Sequence, residues 1–185
     1  SQTIGLLGFG HIGKAIAMRA RAFGMRVTVA NRSPVPTGPL VDASFGLDRL
    51  NDFMASADHI VVSLPHLPAT TGIVAGQALA AMRPTATIIN VGRGPVIDEQ
   101  ALYDALAARR IGGAIIDTWY TYPTPAERRA RPSRLPFWEL DNVVMTPHMS
   151  GWTNGTVRRR QQTIAANIAR LLAGQPLENV VARGA

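Results

Sequence analysis

Apolar residues in this chain fall in short continuous runs rather than alternating with polar ones: Ile4–Leu7, Val27–Ala30, Ile60–Leu64, Thr87–Val91, Ala114–Ile116 and Val143–Met145. Runs of this length without alternation are expected of parallel strands covered on both faces. Between them lie stretches with helical spacing, His11–Phe23, Leu47–Ala55, Ala75–Met82 and Asp98–Arg109, the last opening on Asp98 as an N-cap. Strand alternating with helix predicts an α/β fold built on a doubly wound parallel sheet. Two segments break the alternation. Residues 118–136 read as a long loop carrying Tyr120, Tyr122, Arg128, Arg129, Arg131 and Arg134, and loops of that length are usually functional. A final helix, from about Thr153 to Ala173, is arginine-rich at its start and then presents Ile164, Ile168, Leu171 and Leu172 on one face before Gly174 stops it. The pattern therefore divides into a domain over 1–152 and a C-terminal helix and tail over 153–185.

Composition sharpens this picture in two places. With 46% hydrophobic residues in 185, the chain can bury a sizeable core, and with no cysteine it can form neither disulfides nor thiolate metal sites; no metal site is expected. The 19 Lys and Arg against 12 Asp and Glu leave a net charge of +7, and Lys14 is the only lysine. Such a surplus fits nucleic acid, an anionic surface or a phosphorylated ligand, or reflects an arginine-rich genome. No apolar stretch approaches the roughly 18 residues of a membrane helix, and no secretory leader is visible. The expected compartment is the cytoplasm, with no membrane partner. Because the sequence begins at Ser1 and enters a strand by Thr3, it reads as a piece of a longer protein.

The first strand runs into Gly8-Phe9-Gly10-His11-Ile12-Gly13 and then a helix. In that context GxGxxG means dinucleotide binding: Gly8 for the tight turn, Gly10 for backbone approach to a pyrophosphate, and Gly13 for close helix packing. The sheet is thus expected to be a Rossmann-type dinucleotide-binding domain. The second strand ends in Asn31-Arg32-Ser33, where an NAD site carries Asp or Glu for the ribose hydroxyls. Lack of that carboxylate, together with a guanidinium able to grip a 2′-phosphate, favours NADP(H). NAD(H), with Asn31 on the ribose, is the alternative.

Further residues lie where later strands end: Ser63-Leu64-Pro65, Asn90-Val91-Gly92-Arg93-Gly94, Asp117, and Thr146-Pro147-His148-Met149-Ser150-Gly151. In this order behind GxGxxG, they give a sequence that resembles the D-isomer-specific 2-hydroxyacid dehydrogenase family from about Thr3 to Val181. The resemblance implies that Arg93 binds the carboxylate of a small 2-oxo or 2-hydroxy acid such as glyoxylate or hydroxypyruvate. His148 becomes the general acid/base and Asp117 the partner of the nicotinamide carboxamide. Ser63, Leu64 and Pro65 line the adenosine side, while Val91, Gly92, Ser150 and Gly151 complete the coenzyme contacts. Guanidinium and imidazole suit these tasks, the one as a permanent paired donor and the other because it titrates near neutrality.

One position departs from the family. Five residues after the aspartate, where the family has a glutamate that hydrogen-bonds the catalytic histidine, stands Tyr122. The formate dehydrogenase branch also lacks the acid and shares the His-x-Ser-Gly run, so a formate dehydrogenase-like oxidoreductase is one alternative. A slipped alignment would bring Glu127 to His148 instead. A coenzyme-gated binding protein of the corepressor type is a further reading, set against the retention of Arg93 and His148. Nucleic-acid binding through Arg128–Arg134 or Arg158–Arg160 lacks aromatic platforms, so no nucleic-acid partner is expected. The resemblance further implies a homodimer, and a second domain to which the final helix would return. Without that domain the chain is expected to bind coenzyme but to turn over slowly or not at all.

Overall fold

A computed structural model describes residues 1–180; residues 181–185, the end of the expected tail, lie outside the described residues. The chain runs β1 (Thr3–Leu7), α1 (His11–Ala22), β2 (Arg26–Ala30), β3 (Ala43–Phe45), α2 (Leu50–Ala55), β4 (His59–Val62), α3 (Gly76–Ala81), β5 (Thr87–Asn90), α4 (Glu99–Ala107), β6 (Gly113–Ile116), β7 (Val143–Met145) and α5 (Asn154–Leu172). The strands form one sheet in the order β3-β2-β1-β4-β5-β6-β7, every neighbouring pair parallel. From β1 the chain winds outward to β2 and β3, then returns to the other side at β4. The reversal opens a crevice above the carboxyl ends of β1 and β4, the place where open α/β sheets bind ligands. This is the doubly wound Rossmann architecture that the alternation of runs predicts.

Two compact units divide the chain, Ser1–His148 and Met149–Ala185. In the first, a large apolar cluster joins Leu7, Val62, Ile88 and Ile116 of the sheet to Phe53 and Met54 of α2, Leu79 of α3 and Leu102 and Leu106 of α4. A smaller cluster joins Leu6, Val27, Val29 and Val61 to Ala17 and Ala20 of α1. Burying a Leu, Ile or Phe side chain contributes roughly 1.5–3 kcal/mol, so the sheet is a rigid base for the loops at its edge. The second unit is α5 with its flanks. Thr153 caps α5 by accepting the Thr156 N–H at 3.0 Å, and the tail folds back through Glu178, which pairs with Arg170 at 2.6 Å. Among the described residues no side chain of α5 is buried, and Ile164, Ile168, Leu171 and Leu172 are exposed.

Two local departures from the sequence reading have physical causes. β3 is too short, and only half-buried, to leave an apolar run. Its connection from β2 is a loop rather than a helix because Pro34, Pro36 and Pro39 remove the backbone donors a helix needs. The expected helix over Leu47–Ala55 begins as a 3-10 turn at Leu47–Arg49 and becomes α-helical only from Leu50.

Candidate active site

The turn after β1 is built by glycines that nothing larger could replace. Gly8 has φ +100°, a left-handed conformation that disfavours side chains, and its N–H donates to the Ala30 carbonyl at 2.9 Å. A Cβ on Gly13 would stand 2.4 Å from the Gly8 carbonyl oxygen, so α1 packs directly on the turn. Gly10 differs: a Cβ there would meet nothing within 4 Å. It opens α1, which has neither a side-chain cap nor an acidic residue in its first turn. His11 and Ile12, exposed, complete that turn. Uncapped N–H groups facing open space, with glycine permitting close approach, fit a pyrophosphate.

Beside this turn, Ile12, Ser63, Leu64, Pro65, His66, Val91, Gly92 and Arg93 line a cleft of about 540 Å³. Asn90, buried at the end of β5, fixes its floor: its Oδ1 accepts the Gly92 N–H and its Nδ2 donates to the Arg93 carbonyl, each at 3.1 Å. A Cβ on Gly92 would lie 2.7 Å from the Leu64 carbonyl, and one on Gly94 2.3 Å from that of Trp119. These contacts clamp the β5 loop between its neighbours and set Arg93 on the cleft wall. Arg93 is exposed, its Nη1 donates to the Gly92 carbonyl at 2.7 Å, and no carboxylate pairs with it among the described residues. The sequence reading quotes Asn90 in the Asn-Val-Gly-Arg-Gly run without giving it a role, and His66 is absent from it, nothing having marked it. On the next strand, buried Asp117 accepts the Thr146 hydroxyl at 2.6 Å, which joins the ends of β6 and β7.

The end of β2 faces a separate cleft of about 470 Å³ that includes Asn31, Arg32, Ser44, Phe45, Gly46 and Asp48. The Asn31 side chain is largely committed to backbone, its Oδ1 accepting the Phe9 N–H at 3.3 Å and its Nδ2 donating to the Ser33 carbonyl at 2.9 Å. Arg32 is exposed and unpaired among the described residues; Ser33 is exposed beside it. Asp48 brings a carboxylate to this cleft from the far side of β3, a juxtaposition that spacing along the chain does not reveal.

The segment after β6 carries the second group of site residues. Tyr122 Oη lies 2.9 Å from His148 Nδ1, with the two rings tilted at a centroid distance of 5.5 Å. The same oxygen accepts the Trp119 N–H at 3.0 Å, while the Trp119 indole donates to the Thr146 carbonyl at 2.9 Å. Thus Tyr122, not Glu127, is the partner of His148; Glu127 closes a turn onto Thr124. His148 has φ +57°, uncommon for a residue with a side chain and frequent at functional sites. The far end of the loop is anchored by Glu99 of α4, which accepts the Ser133 hydroxyl at 2.7 Å and pairs with Arg134 at 2.8 Å. Burial first, then the Glu99 and Asp98 carboxylates, push the Tyr120 phenol well above its ordinary range, so it stays neutral. Ser150 and Gly151 belong to the second unit, where the Trp152 N–H closes a turn on the Met149 carbonyl at 2.9 Å.

Residues 1–150 match the family model described as D-isomer specific 2-hydroxyacid dehydrogenase, NAD binding domain. The chain belongs to this family. It is 34% identical over 183 residues to the D-3-phosphoglycerate dehydrogenase of Methanocaldococcus jannaschii, covering 97% of this chain and 33% of that protein. It is 36% identical to the glyoxylate/hydroxypyruvate reductase B of Yersinia enterocolitica, covering 97% and 53%. Among solved structures, a D-isomer specific 2-hydroxyacid dehydrogenase from Xanthobacter autotrophicus Py2 in complex with NADPH and MES superimposes with a TM-score of 0.81 at 35% identity, covering 98% of this chain and 71% of that one. D-lactate dehydrogenase with NAD+ from Lactobacillus jensenii matches with a TM-score of 0.82 at 27% identity, covering 98% and 56%. The chain thus spans one third to about half the length of these two curated relatives, and carries the NAD-binding domain of the family.

Proposed function

We propose that the chain is the coenzyme domain of an NADPH-preferring oxidoreductase that reduces small 2-oxo acids, of which glyoxylate and hydroxypyruvate are the leading candidates. The observation that carries this reading is the pair of clefts at the carboxyl ends of the strands, each lined by an arginine with no carboxylate partner. The open turn at Gly10 would hold the pyrophosphate and Arg32 the 2′-phosphate. Arg93 would clamp the substrate carboxylate with paired donors and draw electron density from the neighbouring carbonyl. When bound, the nicotinamide coenzyme supplies the hydride. His148, set at the end of β7 by Pro147 and held by Tyr122, would deliver the proton to the carbonyl oxygen. Relatives named as glyoxylate or hydroxypyruvate reductases support the substrate class. Structures holding NADPH and NAD+ bracket the coenzyme choice. Assembly as a homodimer belongs to the same proposal, as does a cytoplasmic location; among the described residues no helix is long and apolar enough to cross a membrane.

Parallel fluorescence titrations with NADPH and NADH test the coenzyme assignment. NADPH should bind more tightly, and Arg32→Ala should weaken it about tenfold, or roughly 1.4 kcal/mol, while leaving NADH nearly unchanged. Equal or tighter binding of NADH would remove Arg32 from the argument.

A further inference from the structure

A cavity of about 700 Å³ lies between α1 and the loop that joins β2 to β3, and shares the Asn31, Pro34 and Val35 wall with the Arg32 cleft. Pro34, Pro36 and Pro39 prevent that loop from forming a helix, so space that a helix would fill stays open. The loop is nonetheless pinned. Asn31 ties its start to the Phe9 N–H at 3.3 Å, and Asp42 ties its end to the Val27 N–H and to Arg21. Its tip closes through paired backbone bonds between Gly38 and Val41, at 2.9 and 3.1 Å. Inside, Phe9 and Val35 are half-buried and Val41 is buried, while Pro36 and Leu40 remain exposed. Small-molecule sites are mostly apolar hollows of this size with a few polar groups.

Among the described residues one charged side chain lines this cavity, Lys14. It is exposed and takes part in none of the ion pairs found among them. Residues of a helix advance about 100° each, so Ile12 and Lys14, two apart, face away from one another. Ile12 lines the Arg93 cleft and Lys14 lines this cavity, which sets the ammonium apart from that cleft. The first turn of α1 already carries the positive end of the helix dipole and has no acidic residue. A lysine there adds like charge to like, and an anion in the cavity relieves both. A single ammonium matches a single negative charge, whereas a phosphate carries up to two and suits a guanidinium fork or several cations. We propose that this cavity is a second ligand site, for a monocarboxylate with an apolar tail. The tail lies against Phe9, Val35 and Leu40, and the carboxylate pairs with Lys14. The site stands whether or not the chain takes a nicotinamide coenzyme.

Decanoate, added below its micelle threshold to the 15N-labelled chain, should bind saturably and shift the amide signals of Phe9, Lys14, Val35 and Leu40. Octanoate, shorter by two methylenes, should bind about tenfold more weakly. Lys14→Met keeps the stem and drops the charge; it should weaken decanoate about fivefold and leave methyl decanoate unchanged. Leu40→Glu sets a like charge at an exposed position of the wall and should abolish decanoate binding in a folded chain. No saturable binding by the parent, equal affinity for decanoate and its methyl ester, or indifference to either variant overturns the proposal. So does a loss of NADPH affinity in Lys14→Met as large as that in Arg32→Ala, because the ammonium would then serve the coenzyme phosphate. A parent chain that takes decanoate as expected but binds neither nicotinamide coenzyme would sink the functional reading alone.

Discussion

The two ends of the sheet are held in different ways. At the amino ends, carboxylates fasten strand backbones. Asp58 accepts the Thr3 N–H at 2.7 Å and pairs with Arg83 at 2.6 Å. Asp42 accepts the Val27 N–H at 2.7 Å and pairs with Arg21 at 2.9 Å, and Asp141 pairs with Arg109. These arginines sit in or just beyond the last turns of α1, α3 and α4, where a cation also suits the helix dipole. At the carboxyl ends, glycines packed against carbonyls clamp the loops after β1 and β5, the buried Asp117 carboxylate is spent on tying β6 to β7, and Arg32 and Arg93 are left without carboxylates among the described residues. The amino end is organised for stability. The carboxyl end keeps charge available for an anion. A net charge of +7 is thus informative less by its size than by where its guanidinium groups stand, Arg32 and Arg93 each lining a cleft at the carboxyl ends of the strands.

The comparison breaks hardest at Gly94. Its replacement by alanine drives a Cβ to 2.3 Å from the Trp119 carbonyl oxygen and 2.9 Å from the Tyr120 nitrogen, and backbone cannot yield as a side chain does. Overpacking of this kind costs about 3 kcal/mol, to be read from the shift in the urea midpoint. Gly10→Ala is the matched control, since its Cβ enters open space. It should leave the urea midpoint almost unmoved while weakening coenzyme binding at least about tenfold, because the methyl intrudes where the pyrophosphate approaches. Two glycines of one sheet edge would then separate cleanly, one required by the protein and one by its ligand.

At the amino end the expected effect is smaller and of opposite character. Asp58→Ala strips the Thr3 N–H of its acceptor and should cost about 2 kcal/mol with no change in coenzyme affinity. The Thr3 N–H, and then Arg83, hold the Asp58 carboxyl below its ordinary value of 3.8, and the Val27 N–H with Arg21 does the same for Asp42. Depressed carboxyls in the folded state stabilise it fully above about pH 4 and progressively less as pH falls through their lowered values. Acid unfolding of the parent should therefore steepen below about pH 4, and Asp58→Ala should flatten that limb. An unchanged acid profile would show that these carboxylates do not fasten the strands.

How far the sequence reveals each end follows from the same contrast. Continuous apolar runs disclose parallel strands because both faces are buried, and GxGxxG discloses the turn because its geometry admits no side chain at Gly8 or Gly13. Arg93, Asp117 and His148 are legible as an ordered set at strand ends. β3 escapes because an edge strand of three residues buries too little to leave a pattern. The Tyr122–His148 contact could be suspected from spacing in a known family, but the Trp119 N–H that donates to the same phenol oxygen is backbone and carries no sequence signal. Asn90 acts within its own loop, on Gly92 and Arg93, and could be suspected from the run it opens, whereas Asp48 shares a cleft with Arg32 through a distance between loops that no local pattern encodes.

Asp48 provides the smallest test. It shares the cleft of Arg32 yet forms no ion pair with it among the described residues. A 2′-phosphate gripped by Arg32 would therefore feel a carboxylate across a partly solvated gap. Nearby Arg49 offers little relief, because it pairs with Asp52 at 2.7 Å while lying over the Phe45 ring. Two negative groups about 8 Å apart in a water-like dielectric repel by roughly 0.5 kcal/mol per charge pair, and a phosphate carries up to two charges. Asp48→Asn should accordingly tighten NADPH about threefold at low salt and leave NADH unchanged, with the gain fading as added salt screens the gap. If NADH loosens instead, Asp48 serves the ribose as the missing acid of β2 would have done, and Arg32 no longer decides the coenzyme.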